Sequence, residues 1–223
     1  MPADAFTLPI WFDLAATLFF AITGALAAMR RGYDVVGVIA LALLSGIGGG
    51  LIRDAVFIQQ GPPAVVTDAR YLYVVLIGAA IGAVAGDRIQ RIRRVIAVVD
   101  ALGLGAYAVV GVQKSLAAGL APPAAILVGV MNAAGGGLLR DVITNEEPIV
   151  FKPGQFYLLV ALAAAAQFVV MTVQFHVAPT RAALVVIGTA FVLRVATIVF
   201  NWKTAALGGP APAPPPPPAG PPR

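Results

Sequence analysis

The chain has 223 residues, of which 60% are hydrophobic and 11% charged, with a mean hydropathy of +0.91 and a formal charge of +5. Soluble domains carry about 25% charged residues, so there is too little polar surface here to cover a water-soluble globule, and the solvent these residues suit is a bilayer. Cysteine is absent and His176 is the single histidine, which excludes thiol chemistry, disulfides and His/Cys metal centres.

The N-terminal MPADAF is acidic and lacks the basic region of a cleavable signal peptide, so the first apolar segment is expected to act as its own insertion signal. Apolar stretches of about 20 residues between charge clusters predict spans at 10–29, 35–58, 70–86, 95–113, 122–144, 155–174 and 182–200. Beyond them, Gly208 to Arg223 is nearly all Pro, Ala and Gly and reads as a disordered extension. Basic residues cluster at span ends, as topology signals do, and not in a pattern suited to nucleic acid. Nine of them (Arg30, Arg31, Arg88, Arg91, Arg93, Arg94, Lys152, Lys203 and Arg223) fall on one side, against Arg70, Lys114 and Arg181 on the other. That imbalance puts the nine in the cytoplasm, the N-terminus outside and the C-terminus inside. The run DRIQRIRR at 87–94 reads as a topology determinant, with anionic lipid headgroups as a second reading.

The segment GGGLIRD at 48–54 returns as GGGLLRD at 135–141. At the same offset of 87 residues and without a gap, Asp13 matches Asp100, Phe20 matches Tyr107, Gly24 matches Gly111, Gly32 matches Gly119 and Ser45 matches Asn132. Three spans lie within that offset, an odd number, so the two copies run in opposite orientations. The expected fold is all-α, with seven transmembrane helices forming an inverted 3+3 repeat plus a seventh helix. Such repeats recur in transport proteins, with the permeation site near the midplane. The chain divides into a short extracytoplasmic N-terminus (1–9), repeat 1 (10–94), inverted repeat 2 (95–180), helix seven (181–204) and a disordered Pro-rich tail (205–223).

Glycine costs about 1 kcal/mol per helix position relative to alanine, and a charge near the bilayer centre about 2.5–3.5 kcal/mol. The triplets Gly48-Gly49-Gly50 and Gly135-Gly136-Gly137, each followed by Arg and Asp, therefore need a reason, and two stand side by side. Small residues let helices approach closely. They can also loosen or kink a helix, baring carbonyls that suit a cation shedding part of its hydration. Helical spacing puts Ser45, Gly49 and Arg53 on one face of span two, and Asn132, Gly136 and Arg140 on one face of span five. These faces are either a hydrogen-bonded packing seam or the polar wall of an aqueous pathway.

Neighbours at i,i+1 point different ways on a helix, so Arg53 is not expected to pair with Asp54. Depth instead pairs Asp13 with Arg53 in the outer half and Asp100 with Arg140 in the inner half, leaving Asp54 and Asp141 to other donors or water. The plainer alternative is that Asp13 and Asp100 sit in first helical turns, where acids are favoured. Gln113-Lys114 ends span four as an interfacial snorkel or a gate, and Arg194 reads as a snorkel. His176 reads as an ordinary surface residue in an outer connection.

The stretches DLAATLFFAITGALAA at 13–28, GGGLIRD, PPAVV at 62–66, DALGLGAYAVVGVQK at 100–114 and GGGLLRDVI at 135–143 together resemble the prokaryotic TRIC (trimeric intracellular cation channel) family, over about residues 10–200. The resemblance implies seven transmembrane helices, a homotrimer, one potassium-permeable pore through each protomer, and glycine triplets at kinks flanking that pore. The chain lacks the Lys-Glu-Val motif of animal members.

The resulting expectation is a passive monovalent-cation channel in the bacterial inner membrane. Arg53 and Arg140 tune its path once neutralised, and Ser45, Asn132 and kinked backbone supply oxygen ligands. Its partners are membrane lipids, further copies of itself and transient potassium; no cofactor, nucleic acid or bound metal is expected. The alternative is a secondary transporter for a small solute such as glycine, a label also attached to this domain family, because inverted repeats suit alternating access equally. No Ser/His, paired-carboxylate or metal constellation supports an enzyme.

Overall fold

The computed structural model describes residues 8–86, 92–152, 156–200 and 202. The MPADAF segment, the side chains of the basic run at 87–94 and the Pro-rich tail lie outside the described residues, as does Lys203. The chain forms α1 (Trp11–Arg30), α2 (Val35–Ile52) continuing as a π-helical turn (Arg53–Ile58), a one-turn α3 (Ala64–Thr67) and α4 (Ala69–Gly86). It goes on through α5 (Ile92–Ala117), α6 (Pro122–Ile143), α7 (Tyr157–Val169) with its own π turn (Val170–Gln174), and α8 (Pro179–Val199). With their π turns included, all but α3 are long and apolar enough to cross a membrane.

Local chemistry explains where these helices begin and end. Asp34 caps α2 by accepting from the Gly37 N–H at 2.8 Å, while α6 and α8 start on Pro122 and Pro179, whose fixed φ suits a first helical position. The matched glycines Gly32 and Gly119 both adopt left-handed backbone, at φ +71° and +86°. Each closes a helix in the same way: Gly32 N–H bonds Met29 O and Tyr33 N–H bonds Ala28 O, and Gly119 N–H bonds Leu116 O while Leu120 N–H bonds Ser115 O. This is the Schellman pattern, which wants glycine at the left-handed position. No atom lies within 4 Å of a Cβ added at either glycine, so only backbone strain opposes a side chain. Gly32→Ala and Gly119→Ala are each expected to cost about 1 kcal/mol, additively, as read by thermal unfolding in detergent.

The fold is an inverted pair of three-helix repeats followed by a seventh helix. The first helix of each repeat is the most buried, and α4 and α8 are the least. α1 packs on α2, α4 and α5, α5 packs on α6, α7 and α8, and α2 crosses α6 between the repeats. At that crossing a Cβ on Gly49 would collide with the Asn132 carbonyl oxygen, and one on Gly136 would collide with the Ser45 carbonyl oxygen. Because 49 matches 136 and 45 matches 132, this is one contact seen from both repeats. Phe20 and Tyr107, another matched pair, stack on each other beside the crossing with ring centres 5.2 Å apart.

The triplets do not interrupt the helical hydrogen bonding. α2 and α6 run unbroken through their glycines, and the Arg53 N–H bonds the carbonyls of both Gly49 and Gly50, so those oxygens are engaged within the helix. Departure from α geometry begins at Arg53. The reason is tertiary: the crossing helix offsets the poor helical propensity of glycine with close backbone contact, as small residues do between membrane helices.

Candidate functional site

Both polar faces point inward. Ser45, Arg53, Asn132 and Arg140 are buried, along with Gly48, Gly49, Gly135, Gly136 and Gly137, and Gly50 is half-buried. Two charge clusters grow from these faces, one at each end of the crossing.

In the first, Arg53 forks onto Asp54, with Nε 2.7 Å from Oδ1 and Nη2 3.1 Å from Oδ2. Its Nη2 also lies 3.7 Å from Asp13 Oδ2, and its Nη1 donates to Asn132 Oδ1 at 3.3 Å. Asp13 Oδ2 further accepts from Lys114 Nζ and from the Tyr71 hydroxyl, each at 2.7 Å. Asn132 completes its bonding by donating from Nδ2 to the Tyr107 carbonyl at 2.7 Å. Two carboxylates and two cations cancel, which is how charge survives at membrane depth.

The second cluster repeats the plan. Arg140 Nη1 donates to Asp100 Oδ1 at 3.0 Å and its Nε donates to Asp141 Oδ1 at 2.9 Å. Asp141 Oδ2 accepts the Ile149 N–H at 3.0 Å, as Asp54 Oδ2 accepts the Ala64 N–H at 3.2 Å. Each Asp therefore ties its arginine to the connection after its own helix. A Cβ on Gly137 would stand 3.5 Å from the Tyr157 hydroxyl, 3.6 Å from Arg140 Nη2 and 3.7 Å from Asp100 Oδ1, so those three groups converge there. Arg194 lies over the Tyr157 ring at 5.1 Å and donates to Thr197 Oγ1 at 3.3 Å. At the mouth of this end, Arg30 and Arg31 both bond Glu146, joining α1 to the connection after α6.

Three expectations are corrected. Arg53 and Arg140 do reach the aspartates that follow them, because the i,i+1 rule concerns Cβ directions and a guanidinium on a long stem curls back over its neighbour. Lys114 does not snorkel away from the protein but bonds Asp13, since the acid lies within reach of its stem. Arg194 is buried at 2% exposure, held by an aromatic face. His176 is exposed in the connection between α7 and α8. Tyr71, Tyr157 and Glu146 were not singled out from sequence. The two tyrosines were findable, since each opens the third helix of its repeat, but they are offset by 86 residues and a gapless comparison at 87 passes over them.

A cavity enters from each end. One, of about 350 Å³, is lined by Asp54, Gln60, Thr67 and Lys114. The other, of about 160 Å³, is lined by Arg30, Asp100, Arg140, Asp141, Glu146 and Arg194. Because α5 contributes Asp100 near its start and Lys114 near its end, the cavities lie at opposite ends of the bundle. Between them stand the glycine crossing and the Phe20–Tyr107 stack. Ser45 Oγ is buried in this middle layer without a hydrogen-bond partner among the described residues.

A family model described as "Glycine transporter" matches residues 10–86 and 97–173, two stretches of equal length whose starts lie 87 residues apart. A UPF0126 membrane protein of Deinococcus radiodurans is 36% identical over 156 residues, covering 70% of this chain and 72% of the relative. The UPF0126 inner membrane protein YadS of Escherichia coli is 34% identical over 146 residues, covering 65% and 70%. Among solved structures, a TRIC trimeric intracellular cation channel orthologue from Rhodobacter sphaeroides superposes with a TM-score of 0.81 at 33% identity, covering 86% of this chain and 97% of that one.

Proposed function

The chain belongs to the prokaryotic TRIC family, to which the "Glycine transporter" model and the UPF0126 membrane proteins also correspond, and on that premise we propose that it is a monovalent-cation channel, permeable to potassium, with one pore in each protomer of a homotrimer. One observation carries the reading: cavities from opposite ends reach the two charge clusters, and between them stand only the glycine crossing and the Phe20–Tyr107 stack. A cation path past two arginines is workable when each guanidinium is bonded to aspartates, because the net charge it meets is then close to zero. The path runs from Asp54 and Lys114, past Arg53, Ser45 and Asn132, to Arg140, Asp100 and Asp141. The triplets are the points at which α2 and α6 bend to open it, and Lys114, free to leave Asp13 toward its cavity, is the gate at its own end. The surplus of basic residues on one side supports an inner-membrane orientation with the N-terminus outside and the C-terminus cytoplasmic.

Two cavities with an occluded middle also suit alternating access, so a small-solute transporter is the second reading. Purified protein in planar bilayers separates them. Discrete potassium current steps driven by voltage alone are expected. Saturable glycine counterflow in liposomes without such steps overturns the channel. Asp54→Asn leaves one uncompensated positive charge beside the path. It is expected to lower potassium conductance roughly tenfold, since a unit charge about 10 Å away is worth about 1.7 kcal/mol at an effective dielectric of about 20.

A further inference from the structure

The pathway described above makes no use of the Tyr107 hydroxyl, although it sits where the two repeats meet. Tyr107 on α5 is buried, and its hydroxyl donates to the carbonyl of Gly46 on α2, two residues before the first triplet. The same oxygen lies 2.9 Å from Thr17 Oγ1 on α1, and Thr17 Oγ1 donates to the Asp13 carbonyl at 2.9 Å.

Each hydroxyl has one hydrogen to give. Three oxygen–oxygen contacts therefore share two protons, and one contact is always left without. Tyr107 thus has two acceptors within reach, Gly46 O and Thr17 Oγ1, and it can satisfy only one of them at a time. The choice decides whether α5 is bonded to the Gly46 carbonyl of α2: that bond forms when Tyr107 donates to Gly46, with Thr17 free to give its own hydrogen to the tyrosine oxygen, and is lost when Tyr107 donates to Thr17.

The other repeat has no equal device. Phe20, matched to Tyr107, carries no hydroxyl. The carbonyl matched to Gly46 is that of Ala133, which the Tyr157 hydroxyl approaches only to 3.5 Å, the outer limit of a useful bond.

We propose that Tyr107 is a latch on α2: its bond to the Gly46 carbonyl pins the helix beside its glycine triplet, and transfer of that bond to Thr17 releases α2 to bend. Tyr107 is a positioning residue, acting through α2 and not on the permeating ion. Its effect on conduction rests on the channel reading, while its effect on α2 does not. A bond shifts an equilibrium only by the difference it makes between two states, so removing the hydroxyl and removing its alternative acceptor must act in opposite directions.

The test compares the full-length wild-type chain with Tyr107→Phe and Thr17→Val. It uses single-channel recording in potassium chloride and amide hydrogen exchange of the α2 stretch 44–52 in the same detergent. Tyr107→Phe is expected to raise the opening equilibrium constant about fivefold, the worth of one neutral hydrogen bond, and to speed exchange in α2. Thr17→Val leaves Gly46 as the remaining acceptor and is expected to lower the constant and slow exchange. If the two residues were merely satisfied core hydroxyls, both variants would loosen α2. Shifts in the same direction, or no shift in exchange for either variant, therefore overturn the latch. Absence of current from wild type would sink the channel reading alone, and the opposed exchange rates would still support the latch.

Discussion

Arg140→Gln is expected to destabilise the fold by about 3–5 kcal/mol, the usual loss when one partner of a buried ion pair is removed. Arg140 is 5% exposed and bridges Asp100 and Asp141 at 3.0 and 2.9 Å. Glutamine can return a hydrogen bond but no charge, so two carboxylates are left in a low-dielectric layer without the guanidinium that joins them. The loss should be readable as a fall of many degrees in thermal unfolding in detergent, together with a poor yield of monodisperse protein. Adding Asp100→Asn and Asp141→Asn to the same chain should recover much of it, because the two carboxylates that Arg140 joined then carry no charge. A single variant within about 1 kcal/mol of wild type, or a triple variant no better than the single one, would show that the cluster carries little stability. Pairing and neutralising are the same act here, so this experiment also asks whether the arginines are tolerable beside a cation path.

Much of the architecture was legible because bilayers impose few solutions on a backbone. Span length and the 87-residue offset each follow from simple physical limits, and the observed helices lie within a few residues of the expected spans. The matched glycines at 32 and 119 close their helices in the same left-handed way because glycine enters that backbone without the strain a Cβ brings. Asp100 and Arg140, paired in the sequence reading by their positions along their spans, meet at 3.0 Å.

Side-chain reach was not legible. Nothing in the order of residues says that Arg53 curls onto Asp54, or that Lys114 turns inward to Asp13 instead of outward to the interface. Both outcomes depend on which face of a helix end meets a neighbour. Arg194 shows the same limit, since its aromatic partner Tyr157 lies 37 residues earlier in the chain. The π turn at Arg53–Ile58 has no composition of its own.

The glycine triplets carry the second large effect, and it differs from residue to residue within each triplet. A Cβ on Gly49 or Gly136 would collide with backbone oxygen of the opposite helix, which has no rotamer to change. On Gly50 the nearest atom is the movable Arg53 Nη2 at 3.6 Å, and on Gly137 the Tyr157 hydroxyl at 3.5 Å. Gly49→Ala and Gly136→Ala are therefore expected to cost at least the upper end of the about 1–3 kcal/mol seen for overpacking. Gly50→Ala and Gly137→Ala should be neutral or gain up to about 1 kcal/mol from alanine's better helix propensity. Thermal unfolding of the four variants measures this directly, and equal losses at all four positions would defeat it. Recordings on whichever variants fold then separate the two reasons for the triplets. If the crossing is only a packing seam, a wedge at Gly49 lowers stability and leaves potassium current as it was. If the crossing is also the closed point of the path, the same wedge parts α2 from α6 and raises the current, so one added methyl group weakens the protein while opening it.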